Sequence, residues 1–161
     1  MRVTIIAVGR MKSGPERELV SRYLDRARNT GRQLGLTGFD VTEIAESRQS
    51  SSAARKRDEA AAITTACPKG ASVIALDEKG RAQTSDQFTS QIASWRDSGI
   101  ADICFVIGGA DGLDPQWRQS AQLAMAFSPL TWPHQLVRIM LSEQLYRATT
   151  ILSGHPYHRG D

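Results

Sequence analysis

The sequence predicts one α/β domain, residues 1–161, with a mostly parallel sheet and helices on both faces. Short apolar runs alternate with segments of helical spacing along the whole chain, which is the pattern of βαβ units. The run at 102–109 is almost wholly apolar, as expected of a strand that is covered on both faces. No internal repeat or linker divides the chain.

The N-terminal part predicts two strands and two helices. The run "VTIIAVG" (3–9) predicts a buried strand, and a helix opens at Pro15 with Leu19, Tyr23 and Ala27 on one face. The alternating segment 39–46 predicts the second strand. A serine-rich basic segment follows, which predicts a mobile loop leading into a helix over 59–66.

The middle of the chain repeats this alternation. The run "ASVIALD" (71–77) predicts a third strand. Thr84 or Ser85 caps the next helix, in which Phe88, Ile92 and Trp95 recur at helical spacing. The fourth strand is the apolar run at 102–109.

The C-terminal part begins with Asp114-Pro115, an N-cap followed by proline at the first helical position. The predicted helix directs Trp117, Ala121 and Ala124 toward the core. A fifth strand is expected over 125–132, broken by a proline, and a long helix over 136–152. Gly154 ends that helix.

The charge distribution suits a phosphate-bearing partner. The net charge is +3, but residues 1–57 carry 12 Lys and Arg against 6 Asp and Glu. Such a basic part is typical of a nucleic-acid footprint, and a solvated helix face is the alternative. No apolar run is long enough to span a membrane, and the two cysteines require no oxidising compartment, so we expect a cytoplasmic protein.

Two loops are candidate ligand sites. In "VIGGADGLD" (106–114) the order G-G-x-x-G differs from the G-x-G-x-x-G of dinucleotide-binding turns, and no GK[ST] follows for a P-loop. The glycines either satisfy a tight turn or let a ligand approach the backbone. In "FSPLTWPHQ" (127–135) two prolines stiffen a loop whose backbone groups can bind the edge of a purine; an ordinary connection is the alternative.

The chain end, "SGHPYHRGD" (153–161), contains two of the three histidines, although chain ends usually fray. Pro156 keeps His155 and His158 off a shared helical face, so we expect no metal site. No serine lies in a G-x-S-x-G elbow, which disfavours a serine hydrolase.

Several stretches in a fixed order resemble the RlmH family, SPOUT-class methyltransferases that act on pseudouridine in large-subunit ribosomal RNA. They are "VTIIAVGRMK", "ALDEKG" (75–80), "FVIGGADGL" (105–113), "FSPLTWPHQLVR" (127–138), "EQLYRA" (143–148) and "HPYHR" (155–159). Length and element order match end to end, and only 31–57 carries no recognisable motif. The resemblance implies a C-terminal trefoil knot and a homodimer.

The resemblance also implies the cofactor and the reaction. S-adenosylmethionine, without a metal, is held by backbone groups of three loops. The corresponding residues here are Leu76, Gly108, Gly109, Phe127, Ser128, Pro129, Leu130, Thr131 and Trp132. The implied reaction is methylation of N3 of a pseudouridine in 23S ribosomal RNA, on the assembled ribosome.

In the family the tail closes over the cofactor beside the partner subunit and meets RNA. His158 is then the preferred acceptor of the N3 proton, because imidazole exchanges protons near neutral pH. Tyr157 is expected to stack on or hydrogen-bond the base, and Arg159 and Arg138 to bind phosphates or uracil carbonyls. Catalysis by positioning alone stays open, and so does a non-catalytic ribosome-binding protein of the same fold.

Overall fold

The computed structural model describes residues 1–159, in which strands and helices alternate from end to end. The strands are β1 (Arg2–Val8), β2 (Thr37–Ile44), β3 (Ser72–Ala82), β4 (Asp102–Ile107) and β5 (Leu123–Ala126). The helices are α1 (Pro15–Gly31), α2 (Ser52–Ala66), α3 (Ser85–Asp97), α4 (Pro115–Ser120) and α5 (His134–Ser153), with a 3₁₀ turn at Arg32–Leu34. The predicted α/β class is confirmed.

The five strands form one sheet in the order β2-β1-β4-β3-β5. Every pair of neighbours is parallel. The carboxyl ends of the strands therefore lie along one edge of the sheet, and the loops that follow them meet there. In open α/β sheets this edge is where ligands bind.

Helices cover both faces of the sheet, as predicted. On one face α1, α3 and α5 contribute Leu24, Phe88 and Leu141 to a core with alternate strand residues. On the other face Ile63 of α2 is buried, with Trp117 packed against the same cluster. Apolar residues of β1 and β4 are buried on both sides, which explains their continuous apolar runs.

Strand β3 is longer than the predicted 71–77. Met125 of β5 pairs first with Leu76 and again with Arg81, so β3 holds β5 in two stretches separated by a shift of register. Gly80 lies at this shift, where a Cβ atom would come within 2.6 Å of the Met125 backbone. Glycine is required by this close approach. The trefoil knot stays a prediction.

Helix α2 begins before the predicted 59–66. Ser51 caps it by accepting a hydrogen bond from the Ala54 amide over 3.2 Å. Residues 52–58 lie mostly outside the core, so no apolar period marks them. The preceding segment, expected to be mobile, is hydrogen-bonded to α2: the Ser47 amide donates to Glu59 Oε1 over 3.0 Å.

The region after the glycine turn differs from prediction in extent. Asp114 is the N-cap, as predicted, and accepts from the Gln116 and Trp117 amides. Helix α4 ends at Ser120, however, so Ala124 lies in β5 and not on that helix. The predicted strand 125–132 was wrong, because β5 pairs with β3 only as far as Ala126 and a loop follows.

The long helix α5 is close to its predicted bounds. Gly154 ends it in the left-handed region, with φ 69°, and its amide donates to the Ile151 carbonyl. Leu141, Leu145 and Ala148 of the predicted apolar stripe are buried. Polar side chains are buried as well, because α5 packs against α1, α3 and the sheet. Their members are Arg138, Ser142, Thr149 and Thr150.

Two smaller points concern the other helices. Thr84 caps α3 in a capping box with Gln87, which settles the choice between Thr84 and Ser85. On α1 the buried residues are Val20, Leu24 and Ala27, so the inward face is rotated from the predicted one. Within residues 1–159, no helix has the length and apolar content to cross a membrane.

Candidate functional site

A cavity of about 760 Å³ lies at the carboxyl edge of the sheet. Its walls come from the end of β3, the glycine turn 108–112 after β4, the loop 127–133 after β5, and the first residues of α5. Its size is that of a pocket for a small-molecule ligand. Parallel topology brings these loops together, although they are far apart in sequence.

Nearly all of the predicted cofactor residues meet in this cavity. Those that line it are Leu76, Gly108, Gly109, Phe127, Ser128, Leu130, Thr131 and Trp132. Pro129 of the same loop does not line it. The three predicted loops are thus brought together around one space.

The glycine turn is folded tightly on itself. The Gly112 amide donates to the Gly109 carbonyl over 3.0 Å, and Gly112 has φ 78°, where glycine is favoured. A Cβ atom on Gly108 would lie 2.9 Å from the Gly112 carbonyl carbon and 3.0 Å from the Leu113 amide nitrogen. Both sequence interpretations therefore apply, because a turn that requires glycine also lines the cavity.

An ion pair fixes this turn to α2. Arg55 Nε donates to Asp111 Oδ2 over 2.6 Å, and Arg55 Nη2 donates to Asp111 Oδ1 over 3.2 Å. This hydrogen-bonded guanidinium lowers the pKa of Asp111 below its usual value. Arg55 also donates to the Gln49 and Ser50 carbonyls. The glycine turn and the segment before α2 are therefore held by one side chain.

The loop 127–133 has internal hydrogen bonds of its own. Ser128 Oγ accepts from the Leu130 amide and from Trp132 Nε1, over 3.1 and 2.8 Å. Thr131 Oγ1 donates to Glu78 Oε2 over 2.6 Å, which joins this loop to the segment after the first stretch of β3. Leu130 and Trp132 remain 66% and 40% exposed, an apolar rim to the cavity.

Two carboxylates in the cavity were missed by sequence analysis. Asp77 and Glu78 both line it. Asp77 Oδ1 accepts from Arg118 Nη1 over 2.8 Å and from the Lys79 amide over 2.9 Å. The available signal was their position directly after a buried strand in "ALDEKG", where parallel strands place ligand groups.

His134 was also missed. It is the first residue of α5, it is half-buried, and it lines the cavity. Its Nε2 lies 3.4 Å from the point where a Cβ on Gly9 would stand, and Glu46 Oε1 lies 3.0 Å from the same point. The available signal was its position, since this histidine directly follows the loop whose backbone was predicted to bind the cofactor.

Arg138 lies in the interior and not on an RNA-facing surface. Its side chain is 1% exposed, Nη1 donates to Glu43 Oε1 over 2.6 Å, and Nη2 donates to the Gly9 carbonyl over 3.0 Å. Burial alone would raise the pKa of Glu43, but hydrogen bonds from the Met11 amide and Arg138 lower it. Arg138 thus joins the ends of β1 and β2 to the start of α5.

The tail folds back onto α5, and none of its described residues lines the cavity. Tyr157 packs on Tyr146, with ring centroids 4.7 Å apart, and donates to Glu143 Oε1 over 3.0 Å. Burial and this carboxylate raise the pKa of Tyr157 to about 12, so the phenol remains a hydrogen-bond donor. The last two residues of the tail, 160 and 161, lie outside the described residues.

His158 is held by Arg147. Arg147 Nη1 lies 3.2 Å from His158 Nδ1, and because guanidinium only donates, Nδ1 is the acceptor. The opposite nitrogen, Nε2, is buried and lies 3.6 Å from Asp86 Oδ1. Arg159 is exposed. The "EQLYRA" motif therefore positions the tail through Glu143 and Arg147.

The whole chain is similar to known methyltransferases. The family model described as "Predicted SPOUT methyltransferase" matches residues 1–158. The ribosomal RNA large subunit methyltransferase H of Nitrobacter winogradskyi is 55% identical over 160 residues, which cover 99% of this chain and 100% of that protein. The protein of the same name from Allorhizobium ampelinum is 55% identical over 159 residues, covering 99% of each chain.

Solved structures agree on the fold. A probable methyltransferase from Bordetella pertussis Tohama I aligns with a TM-score of 0.55 at 13% identity, over 91% of this chain and 95% of the other. A probable methylase family protein from Haemophilus influenzae aligns with a TM-score of 0.52 at 13% identity, over 99% of this chain and 70% of the other. The chain therefore belongs to the SPOUT methyltransferases, and among them to the family of ribosomal RNA large subunit methyltransferase H.

Proposed function

We propose that this enzyme transfers a methyl group from S-adenosylmethionine to N3 of a pseudouridine in 23S ribosomal RNA, on the assembled ribosome in the cytoplasm. The observation that carries the proposal is the end-to-end similarity, at 55% identity, to proteins named ribosomal RNA large subunit methyltransferase H. The loops around the cavity support it, because they are the ones in which the family resemblance locates the cofactor.

The cavity suits S-adenosylmethionine in size and in donor set. Backbone groups of 108–112 and 127–132 would hold the adenine without an acidic side chain. Asp77 and Glu78 would face the ribose hydroxyls, since carboxylates accept hydrogen bonds from them. The N-terminus of α5 has no side-chain cap and would face the carboxylate of the methionine part. When bound, the cofactor supplies a methyl group on a sulfonium sulfur.

The protein must align the target nitrogen and remove its proton. Alignment requires a rigid surface at the cavity mouth. Removal requires a group that exchanges protons near neutral pH. His134 meets the second condition in the chain that holds the cofactor, because it lines the cavity and makes no hydrogen bond to another part of residues 1–159. His158 meets it only if the Arg147 contact opens.

The position of the tail supports a homodimer. Tyr157, His158 and Arg159 are held beside Glu143 and Arg147, and the cavity is lined by other residues. The tail would therefore serve the cavity of a second copy, where Arg159 would meet RNA and His158 would meet the base. The exposed apolar rim, with Leu130 and Trp132, would be covered by that copy.

The test is the methylation state of one nucleotide. Mass spectrometry of 23S ribosomal RNA from a strain lacking the protein should show the loss of one methyl group on a pseudouridine, restored by the wild-type gene. The purified protein should methylate those ribosomes with S-adenosylmethionine and should bind the cofactor in calorimetry. Unchanged RNA in the deletion strain, with no cofactor binding, would point to the non-catalytic ribosome-binding protein.

Assembly has a separate test. The protein should sediment as a dimer at micromolar concentration, and activity per chain should fall on dilution below the dissociation constant of the dimer. A monomer with full activity per chain would contradict a site shared between copies.

A further inference from the structure

A group of cations at the carboxyl edge has no partner within residues 1–159. Their side chains make neither salt bridges nor hydrogen bonds to the described protein, whereas many other arginines do. The group, here called the edge cations, consists of Arg10, Lys12, Arg48, Lys56 and Arg57. All but Lys56 are fully exposed, and Lys56 lines the cavity.

Topology places the edge cations around the cavity. Arg10 and Lys12 lie in the loop after β1, and Arg48 lies in the segment after β2. Lys56 and Arg57 lie in the N-terminal half of α2, which starts at the same edge. The loop after β1 borders the cavity directly, because His134 Nε2 approaches Gly9.

The backbone that carries these cations is held by hydrogen bonds. Arg138 binds the Gly9 carbonyl, Glu43 accepts from the Met11 amide over 2.8 Å, and Arg17 donates to the Met11 carbonyl over 3.1 Å. The segment after β2 is held in the same way by Arg55 and Glu59. Neither loop needs to become ordered when a ligand binds, which lowers the entropic cost of binding.

The other cations of the basic N-terminal part are occupied or face elsewhere. Arg2 binds Asp40, Arg28 binds Asp25, and Arg55 binds Asp111. Arg26 lies 5.8 Å above the Tyr146 ring, on the face of α1 next to α5. The sequence alone could not make this distinction, because it shows only the surplus of positive charge.

Few negative charges offset the edge cations. Glu46 is exposed at the same edge, and Asp58 follows Arg57 but accepts a hydrogen bond from Ser47 Oγ over 2.6 Å. The carboxylates of Glu43 and Asp111 are bound by arginines. The edge therefore keeps a surplus of positive charge, which attracts a polyanion.

We propose that the edge cations bind the phosphates of the RNA strand that flanks the target nucleotide. This rests on the proposed function, because it takes the polyanion to be ribosomal RNA. Phosphate contacts fix orientation and carry no sequence information, so the edge cations would set how RNA lies across the cavity. Base recognition would remain with residues at the cavity itself.

The test compares double variants that remove the same charge from opposite edges of the sheet. Arg10→Gln/Lys12→Gln and Arg48→Gln/Arg57→Gln remove exposed edge cations, and Lys56 is left because it lines the cavity. The control is Arg32→Gln/Lys69→Gln. Both control residues are exposed, precede β2 and β3, and so lie at the amino edge.

Ribosome affinity is measured across a range of salt concentrations. Each edge double variant should bind more weakly and should flatten the slope of log K against log salt by roughly 1.4 units, about 0.7 for each phosphate that is no longer neutralised. The control should keep the wild-type slope. Cofactor affinity and circular dichroism should be unchanged in all three variants.

Equal slopes in the edge variants and the control would overturn the proposal. So would ultraviolet crosslinking that joins the peptides of the edge cations to ribosomal protein only, because the partner would then not be RNA. These outcomes are distinct from failure of the proposed function, in which wild-type protein leaves ribosomal RNA unmethylated.

Discussion

Arg138 Nη1 lies 2.6 Å from Glu43 Oε1, and this ion pair ties the start of α5 to the end of β2. Arg138 is 1% exposed, and its Nε has no hydrogen-bond partner in the described chain. A buried charge held by one carboxylate is sensitive to the loss of that carboxylate. The pair therefore has a structural role that the motif "FSPLTWPHQLVR" did not indicate.

Glu43→Gln should lower the free energy of unfolding by on the order of 3 kcal/mol, because Arg138 would be left buried without a counter-charge. Adding Arg138→Met should restore part of this loss, since no buried charge remains. Urea denaturation measures both, and Glu46→Gln, at an exposed carboxylate, is the control. If Arg138→Met alone leaves stability unchanged and weakens RNA binding, the predicted RNA contact holds instead.

The same pair makes stability depend on pH. The pKa of Glu43 is lowered in the folded protein. Its contribution to stability is therefore present above the pKa of an unfolded glutamate, about 4.3, and lost as pH falls below it. The difference in unfolding free energy between wild type and Glu43→Gln should shrink in that acid range and stay constant near neutral pH.

Gly108→Ala should reduce stability and cofactor affinity together. The sequence suggested that a side chain there would only obstruct the cofactor, but its Cβ would first meet the backbone of Gly112 and Leu113. Overpacking of this kind costs about 1–3 kcal/mol. Denaturation and calorimetry measure the two effects.

Gly99→Ala is the matched control for Gly108. Gly99 has φ 79° in a remote turn with nothing within 4 Å of its Cβ position, so it should lose about 1 kcal/mol and keep normal affinity. If Gly108→Ala keeps full stability and loses only cofactor binding, the turn is less tightly packed than its distances indicate.

How far the sequence predicts this molecule depends on the kind of interaction. Alternation of apolar runs predicted the fold class and most elements, because burial on one or both faces leaves a period in the sequence. The start of α2 was missed because an exposed helix has no such period. The second stretch of β3 was missed because pairing with Met125 is a contact between distant segments.

The site shows the same division. Backbone loops at the carboxyl edge were predictable, because glycine and proline mark them locally. The partners of Arg55 and Arg138 were not, since Asp111 and Glu43 are distant in sequence. Both arginines had been interpreted as RNA contacts from charge alone, and only three-dimensional placement separates a bound cation from a free one.

Tyr157→Phe should loosen the tail and change stability at high pH. The pKa of Tyr157 is raised to about 12 in the folded protein, so its contribution to stability is present below the unfolded value near 10 and is lost as pH rises toward 12. The variant should lack this alkaline dependence. If wild type and variant lose stability in parallel between about pH 10 and 12, the phenol is not held by Glu143.

Truncation after Gly154 should leave a folded protein that still dimerises and keeps most of its cofactor affinity, because Leu76, Gly108 and the loop 127–133 remain. Stability should fall modestly, by about 1–3 kcal/mol, since Tyr157 no longer packs on Tyr146. Methylation of ribosomes should fall by orders of magnitude. A truncated enzyme with the normal rate would show that the tail takes no part in the reaction.

The last prediction assigns the proton acceptor by comparing His134→Gln with His158→Gln. The variant of the acceptor should bind S-adenosylmethionine normally, methylate ribosomes about 10²–10⁴-fold more slowly, and lose the acid limb of its pH–rate profile. We expect this of His134, which lines the cavity without a hydrogen-bond partner in the described chain, whereas Nδ1 of His158 is occupied by Arg147. His158→Gln should then lower the rate and keep the acid limb, and Arg159→Ala should mainly weaken RNA binding. Gln135→Ala, next to His134 and outside the cavity lining, controls for disturbance of α5. If the acid limb disappears with His158→Gln and persists in His134→Gln, the tail histidine accepts the proton; if it persists in both, positioning alone is sufficient.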